Sequence, residues 1–176
     1  KMNKQTILKT AYDILDNITP LKLDCGSLCG QACCREDNGS EEETGMFLFP
    51  GEEELFSDAD DWMAIIPVDS IRPGLKLARC NGTCPRDRRP LACRIFPLTP
   101  YLTKDEILLV KMDPRAAVLC PLAREMKRNS LRQDFINAVR KASTVLVSDP
   151  DIKEYIYFLS EMLDDYTSMP WYKLIK

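Results

Sequence analysis

Eight cysteines and no histidine constrain this chain more than any other feature. The cysteines fall in two groups. The first is Cys25-Gly26-Ser27-Leu28-Cys29-Gly30-Gln31-Ala32-Cys33-Cys34, and the second holds Cys80, Cys84, Cys93 and Cys120. Without an imidazole, neither a Ser-His-Asp nor a Cys-His catalytic pair can be built within the chain. A transition metal would have to be held by thiolate, carboxylate, backbone or an outside ligand. The spacing suits thiolates. Three residues separate Cys25 from Cys29 and Cys80 from Cys84, inside the two-to-four-residue window of short zinc-binding loops. Neighbouring side chains diverge, so Cys33 and Cys34 serve different centres or only one of them binds. Gly26 and Gly30 let the backbone fold closely around an ion. They predict tight turns here, leading into a helical turn at residues 31–35.

Eight thiols allow two four-cysteine sites, one such site with thiols in reserve, or an iron–sulfur cluster, whose usual shell is also four thiolates. Disulfides, inert buried thiols and redox-active thiols are the competing readings. Length weighs against disulfide braces. A chain of 176 residues is most simply one domain, and about 150 residues already bury about 70% of their unfolded surface. The apolar share of 45% is that of an ordinary globular chain. No apolar run approaches the ~18 residues of a membrane span. Lys9, Thr10 and Asp13 interrupt the first apolar stretch, unlike a secretory signal. These features predict a cytoplasmic chain, where thiols stay reduced and clustered cysteines are more often metal ligands than disulfides.

Along the chain, residues 4–17 have the apolar spacing of a helix, with Ile7, Leu8, Ala11, Tyr12, Ile14 and Leu15 on one side and Pro20 as the stop. From Glu36 to Ile71 there is no Lys or Arg, and the acids of that stretch read as a solvated face. Within it, Met46-Phe47-Leu48-Phe49 predicts a short strand, Pro50-Gly51 a turn, and Glu52 to Phe56 the start of a short helix with acids at its positive end. Trp62 to Val68 is a second apolar run. Arg89 to Pro97 predicts a turn or two of helix, with Pro90 at its first position and Pro97 ending it. Glu106 to Met112 predicts a strand, ended by Asp113-Pro114. From Leu122 on the chain reads as helical. Ser130 is the expected cap of a helix running to about Val147, and Asp149-Pro150 the cap and first residue of the last one. The fold class expected is α+β: a single domain over 1–176, with an irregular cysteine-rich region at 25–120 and a helical part at 122–170.

The stretch from Arg72 to Arg94 reverses the charge, with seven Lys and Arg against Asp87. Nucleic acid is a poor match, because no aromatics interleave with the arginines and the formal net charge is −3. The arginines would rather pair with the acidic stretch or offset metal-bound thiolates. Cationic neighbours favour the thiolate that metals need. Arg89 and Arg94 are expected close to the site as donors or charge partners.

Cys25-x3-Cys29-Gly30-x2-Cys33-Cys34, followed by Cys84-x5-Pro90-x2-Cys93-Arg94-x-Phe96-Pro97, resembles the YkgJ-type cysteine-cluster family. That family's signature is a tight cysteine cluster, then a downstream cysteine, an Arg-Pro pair, a Cys-Arg pair and an aromatic residue. The matching residues span 25–97, and Cys120-Pro121 is a further ligand position. The first cluster here has extra residues between its cysteines. The resemblance implies a zinc- or iron-chelating domain; some members are associated with iron–sulfur binding and flagellin lysine methylation. The function expected is therefore metal binding through Cys25, Cys29, Cys33, Cys34, Cys80, Cys84, Cys93 and Cys120. Zinc is the preferred ion, because two short-spaced pairs suit it, and a closed four-thiolate shell makes it structural rather than catalytic. A protein partner is compatible with such a surface. The alternatives are iron or a [4Fe-4S] cluster with a redox or methylase-like role, and a carrier or sensor that exchanges its ion.

Overall fold

A computed structural model describes residues 2–22, 30, 32–34, 45–57, 60–80, 84–120, 123–124 and 130–174. The first helix, α1 (Lys4–Ile14), starts where the Asn3 side chain accepts the Thr6 N–H at 2.8 Å, satisfying a donor that the helix itself cannot. Ile7, Leu8 and Ala11 bury its inner face. It stops three residues before the expected end, and Asn17 turns the chain away with a φ of 53°.

Three strands follow: β1 (Met46–Phe47), β2 (Met63–Pro67) and β3 (Lys76–Cys80). They form an antiparallel sheet in the order β1-β3-β2. Met46 lies opposite Ala78, and Met63 opposite Cys80. Gly45 enters β1 where a Cβ would stand 2.6 Å from the Ala78 carbonyl oxygen, so only glycine permits that approach. A short helix, α2 (Leu91–Ile95), then leads to a second antiparallel pair, β4 (Leu98–Leu102) and β5 (Leu108–Met112). A single turn, α3 (Ala116–Leu119), precedes the two long helices α4 (Gln133–Leu146) and α5 (Pro150–Ser168). Asp149 caps α5 by accepting the Asp151 and Ile152 N–H groups, with Pro150 at the first position, as expected.

The cap of α4 is Arg132 rather than Ser130. The Arg132 N–H donates to the Pro20 carbonyl at 3.0 Å, and this tertiary bond draws residue 132 out of the helical path. α4 packs along α1 and on the β4–β5 pair, and α5 packs on β4. Ser160 on α5 accepts the Leu102 N–H at 2.9 Å, fixing helix to strand. The core between them joins Leu8, Phe49, Leu91, Phe135, Val139 and Ile156. The architecture is α+β, with the long helices at the C-terminal end. No helix among the described residues is long and apolar enough to cross a membrane.

Candidate metal centre

β-pleating places alternate residues on one face, so Ala78 and Cys80 share a face of β3. Both line a cavity of about 60 Å³, together with Cys33, Cys84 and Cys93. Met46 and Met63, the register partners of Ala78 and Cys80, line it too. Cys33 arrives on a 3-10 turn, Ala32–Cys34. Cys84 stands just before the Arg86–Arg88 turn. Cys93 lies midway along α2, whose Leu91 and Ile95 are buried in the core. Four thiols from both sequence groups thus converge on one space. Cys33 is exposed, and Cys80, Cys84 and Cys93 are half-buried. Cys120 is buried in a small cluster with Phe96 and Ala116, against which Met46 packs. Phe96 and Met46 also line the cavity, so Cys120 stands behind its wall. The side chain of Cys34 and the whole of Cys25 and Cys29 lie outside the described residues. As the chain stands, no three Cys, Asp or Glu side chains among the described residues form a group tight enough to hold an ion.

Two supports hold the cavity in shape, and both come from the stretch read as a solvated acidic face. Glu52 is 0% exposed. Its Oε1 accepts the Leu91 N–H at 2.7 Å and the Tyr12 hydroxyl at 2.6 Å, and its Oε2 accepts the Phe49 N–H at 2.8 Å. One carboxyl therefore ties α1, the β1 exit and the first residue of α2. Burial, the largest influence, raises its pKa above the ordinary 4.5, against the pull of these three hydrogen bonds. Neighbouring Glu53 and Glu54 carry no such role, and no signal in the sequence separates Glu52 from them.

Asp60 is the second support. Arg88 grips it with two nitrogens, Nε at 2.9 Å and Nη2 at 2.5 Å, the bidentate geometry to which guanidinium is suited. These hydrogen bonds, with one from the Ser57 N–H, lower the Asp60 pKa from 3.8 to about 2. The Arg88 guanidinium also stands 5.9 Å from the Phe56 ring, which meets Trp62 edge-on at 6.4 Å. Trp62 is buried and lines the cysteine cavity. The basic and acidic stretches do pair here, and the pairing clamps the turn between Cys84 and Cys93 onto the wall of the cavity.

Arg89 lines the cysteine cavity, as expected of a neighbour of the site. Arg94 instead faces a second cavity that shares Cys93. Burial lowers the Arg94 pKa, and its guanidinium lies 4.7 Å from the Tyr12 ring, a cation–π contact. Chemically, four soft sulfur donors around a largely apolar space suit a thiophilic ion such as zinc, iron or copper(I) rather than magnesium or calcium. No protein-family model matches the chain, and no curated protein or solved structure shows significant similarity to it.

Proposed function

We propose that this protein binds a thiophilic metal ion, with zinc as the preferred one, through Cys33, Cys80, Cys84 and Cys93. The observation that carries the reading is the convergence of these four thiols, from sequence positions far apart, on one cavity of about 60 Å³. Their chemistry fits the ion. Without a cation between them, four thiolates repel one another. An open arrangement is therefore the expected metal-free form, and metal binding and local folding are one event. The YkgJ-like spacing of the cysteines supports the same reading. Cys25, Cys29 and Cys34 belong to the first cysteine group and remain candidate ligands, either of this ion or of a second one. Cys120 remains a candidate behind the wall. With four protein ligands the ion is structural, bracing β3, α2 and the turn between them.

The test is elemental analysis of anaerobically purified protein, with zinc, iron and acid-labile sulfide counted per chain, for the wild type and Cys93→Ser. We expect zinc without sulfide in the wild type, and lower metal content together with a lower melting temperature in Cys93→Ser. Iron with matching sulfide replaces this reading by the iron–sulfur one. Metal-free wild type with oxidised thiols refutes both.

A further inference from the structure

The four thiols at the cysteine cavity do not meet solvent equally. Cys33 is exposed, whereas Cys80, Cys84 and Cys93 are half-buried. The inner three are also tied to the body of the fold. Cys80 stands in the β2–β3 ladder opposite Met63. Cys93 lies on α2 between buried Leu91 and Ile95. Cys84 precedes the Arg86–Arg88 turn, which is held where Arg88 grips Asp60. Cys33 comes in on a turn of only three residues, Ala32–Cys34. Much of the remaining wall is apolar, with Met46, Trp62, Met63, Ala78, Pro90 and Phe96. One thiol open to solvent is thus backed by three others across a space of about 60 Å³. Oxidation of cysteine follows thiolate character and exposure, and its first product condenses with a thiol in reach.

We infer that this site reacts with hydrogen peroxide at Cys33 and releases its ion by closing a disulfide. The step rests on the proposed metal in two ways. Zinc keeps a coordinating sulfur deprotonated, and the thiolate is the nucleophile. A four-thiolate tetrahedron with bonds of about 2.3 Å also sets its sulfurs about 3.8 Å apart, so closure on the ion brings the other ligands within reach of Cys33. The Cys33 thiolate attacks one oxygen of the peroxide. The O–O bond breaks, Cys33 becomes a sulfenic acid, and the departing hydroxide takes up a proton as water. A thiolate of Cys80, Cys84 or Cys93 then attacks the Cys33 sulfur and forms the disulfide, and the hydroxide it expels is protonated to a second water. Two thiolates have each lost one electron, and the peroxide with two protons has become two waters. The second attack is intramolecular, which favours it over further oxidation of Cys33. Two ligands are then spent, the remaining pair does not close a four-thiolate shell, and zinc leaves.

Stepwise addition of hydrogen peroxide to the full chain, purified anaerobically and loaded with zinc, tests this. Released zinc is followed with a chromogenic chelator, and the disulfide is located by peptide mapping after alkylation. Zinc is expected to leave in step with one disulfide per chain, joining Cys33 to Cys80, Cys84 or Cys93, and to be taken up again after reduction by a dithiol. Cys33→Ser is expected to keep its zinc at the dose that empties the wild type. Should that variant purify without zinc, the wild-type map and zinc release carry the test. Zinc retained by the wild type in excess peroxide, a disulfide that leaves out Cys33, Cys33 taken to sulfinic acid without a disulfide, or release from Cys33→Ser as fast as from the wild type overturns the inference and leaves the metal reading intact. A chain that takes up no zinc overturns both.

Discussion

Glu52→Gln is the sharpest probe of how the cysteine-bearing helix is held. If glutamine keeps its oxygen at the Oε1 position, the Tyr12 and Leu91 bonds survive. Its amide NH2 then faces the Phe49 N–H, now 2.8 Å from an acceptor, and two donors oppose each other in a fully buried place. Leaving a buried donor unsatisfied costs about 1–3 kcal/mol. At roughly 2–4 °C per kcal/mol for a chain of this size, the melting temperature falls by about 2–12 °C. Glu52→Ala strips all three donors at once and loses more. The pH dependence fixes the sign. Burial raises the Glu52 pKa in the folded state above 4.5, so the folded protein binds this proton more tightly than the unfolded chain. Its contribution to stability is complete below 4.5 and is lost as pH rises through the folded value. A protonated Glu52 can still serve all three partners, donating to the Tyr12 oxygen while accepting from both N–H groups. The stability gap between wild type and Glu52→Gln therefore widens as pH falls from about 7 towards 4.5. Urea unfolding of both proteins in the same metal state, followed by circular dichroism across that range, measures it. A gap that narrows on acidification, or a variant as stable as the wild type near the lower limit, refutes the reasoning.

Asp60→Asn removes the charge that Arg88 grips. Because the folded pKa is depressed, that stability is present above 3.8 and is lost as pH falls towards about 2, so urea midpoints of variant and wild type differ at neutral pH and converge in acid. Gly45→Ala drives a Cβ to 2.6 Å from the Ala78 carbonyl; thermal unfolding should show a loss of about 1–3 kcal/mol, as for an overpacked site.

The sequence was most readable where local signals act alone. The stripe of Ile7, Leu8 and Ala11 gives α1, and Asp149-Pro150 marks the start of α5. It was least readable where partners far along the chain decide. Leu98-Thr-Pro-Tyr-Leu contains a proline, yet forms β4. Each strand of a two-stranded pair is an edge, where a missing N–H need cost no ladder bond. Lys76 to Cys80 sits in a basic run and did not stand out as a strand, although its register against β2 is what aims Cys80. The cysteine spacing marks two groups, but not that Cys33 meets Cys80, Cys84 and Cys93 at one cavity across more than forty residues. Pro90 precedes α2 as its cap rather than opening it, because the first helical N–H, that of Leu91, is needed by Glu52. Burial of Glu52 itself depends on three donors that come together only in the folded chain.

The chain has two tryptophans, and their places make it its own optical instrument. Trp62 is 6% exposed and forms part of the cysteine cavity's wall, while Trp171 is 40% exposed near the C-terminal end, edge-on to Tyr166 and Tyr172. The first indole emits from an apolar setting at shorter wavelength, the second from water at longer wavelength. If the proposed ion enters among the thiols, it changes the blue component and leaves the red one as an internal reference. Iron, which absorbs in that range, extinguishes the blue component, whereas colourless zinc only shifts it. On the proposed metal reading, filling of the cavity, and the kind of metal that fills it, would thus be followed from the light of a single side chain without any added dye.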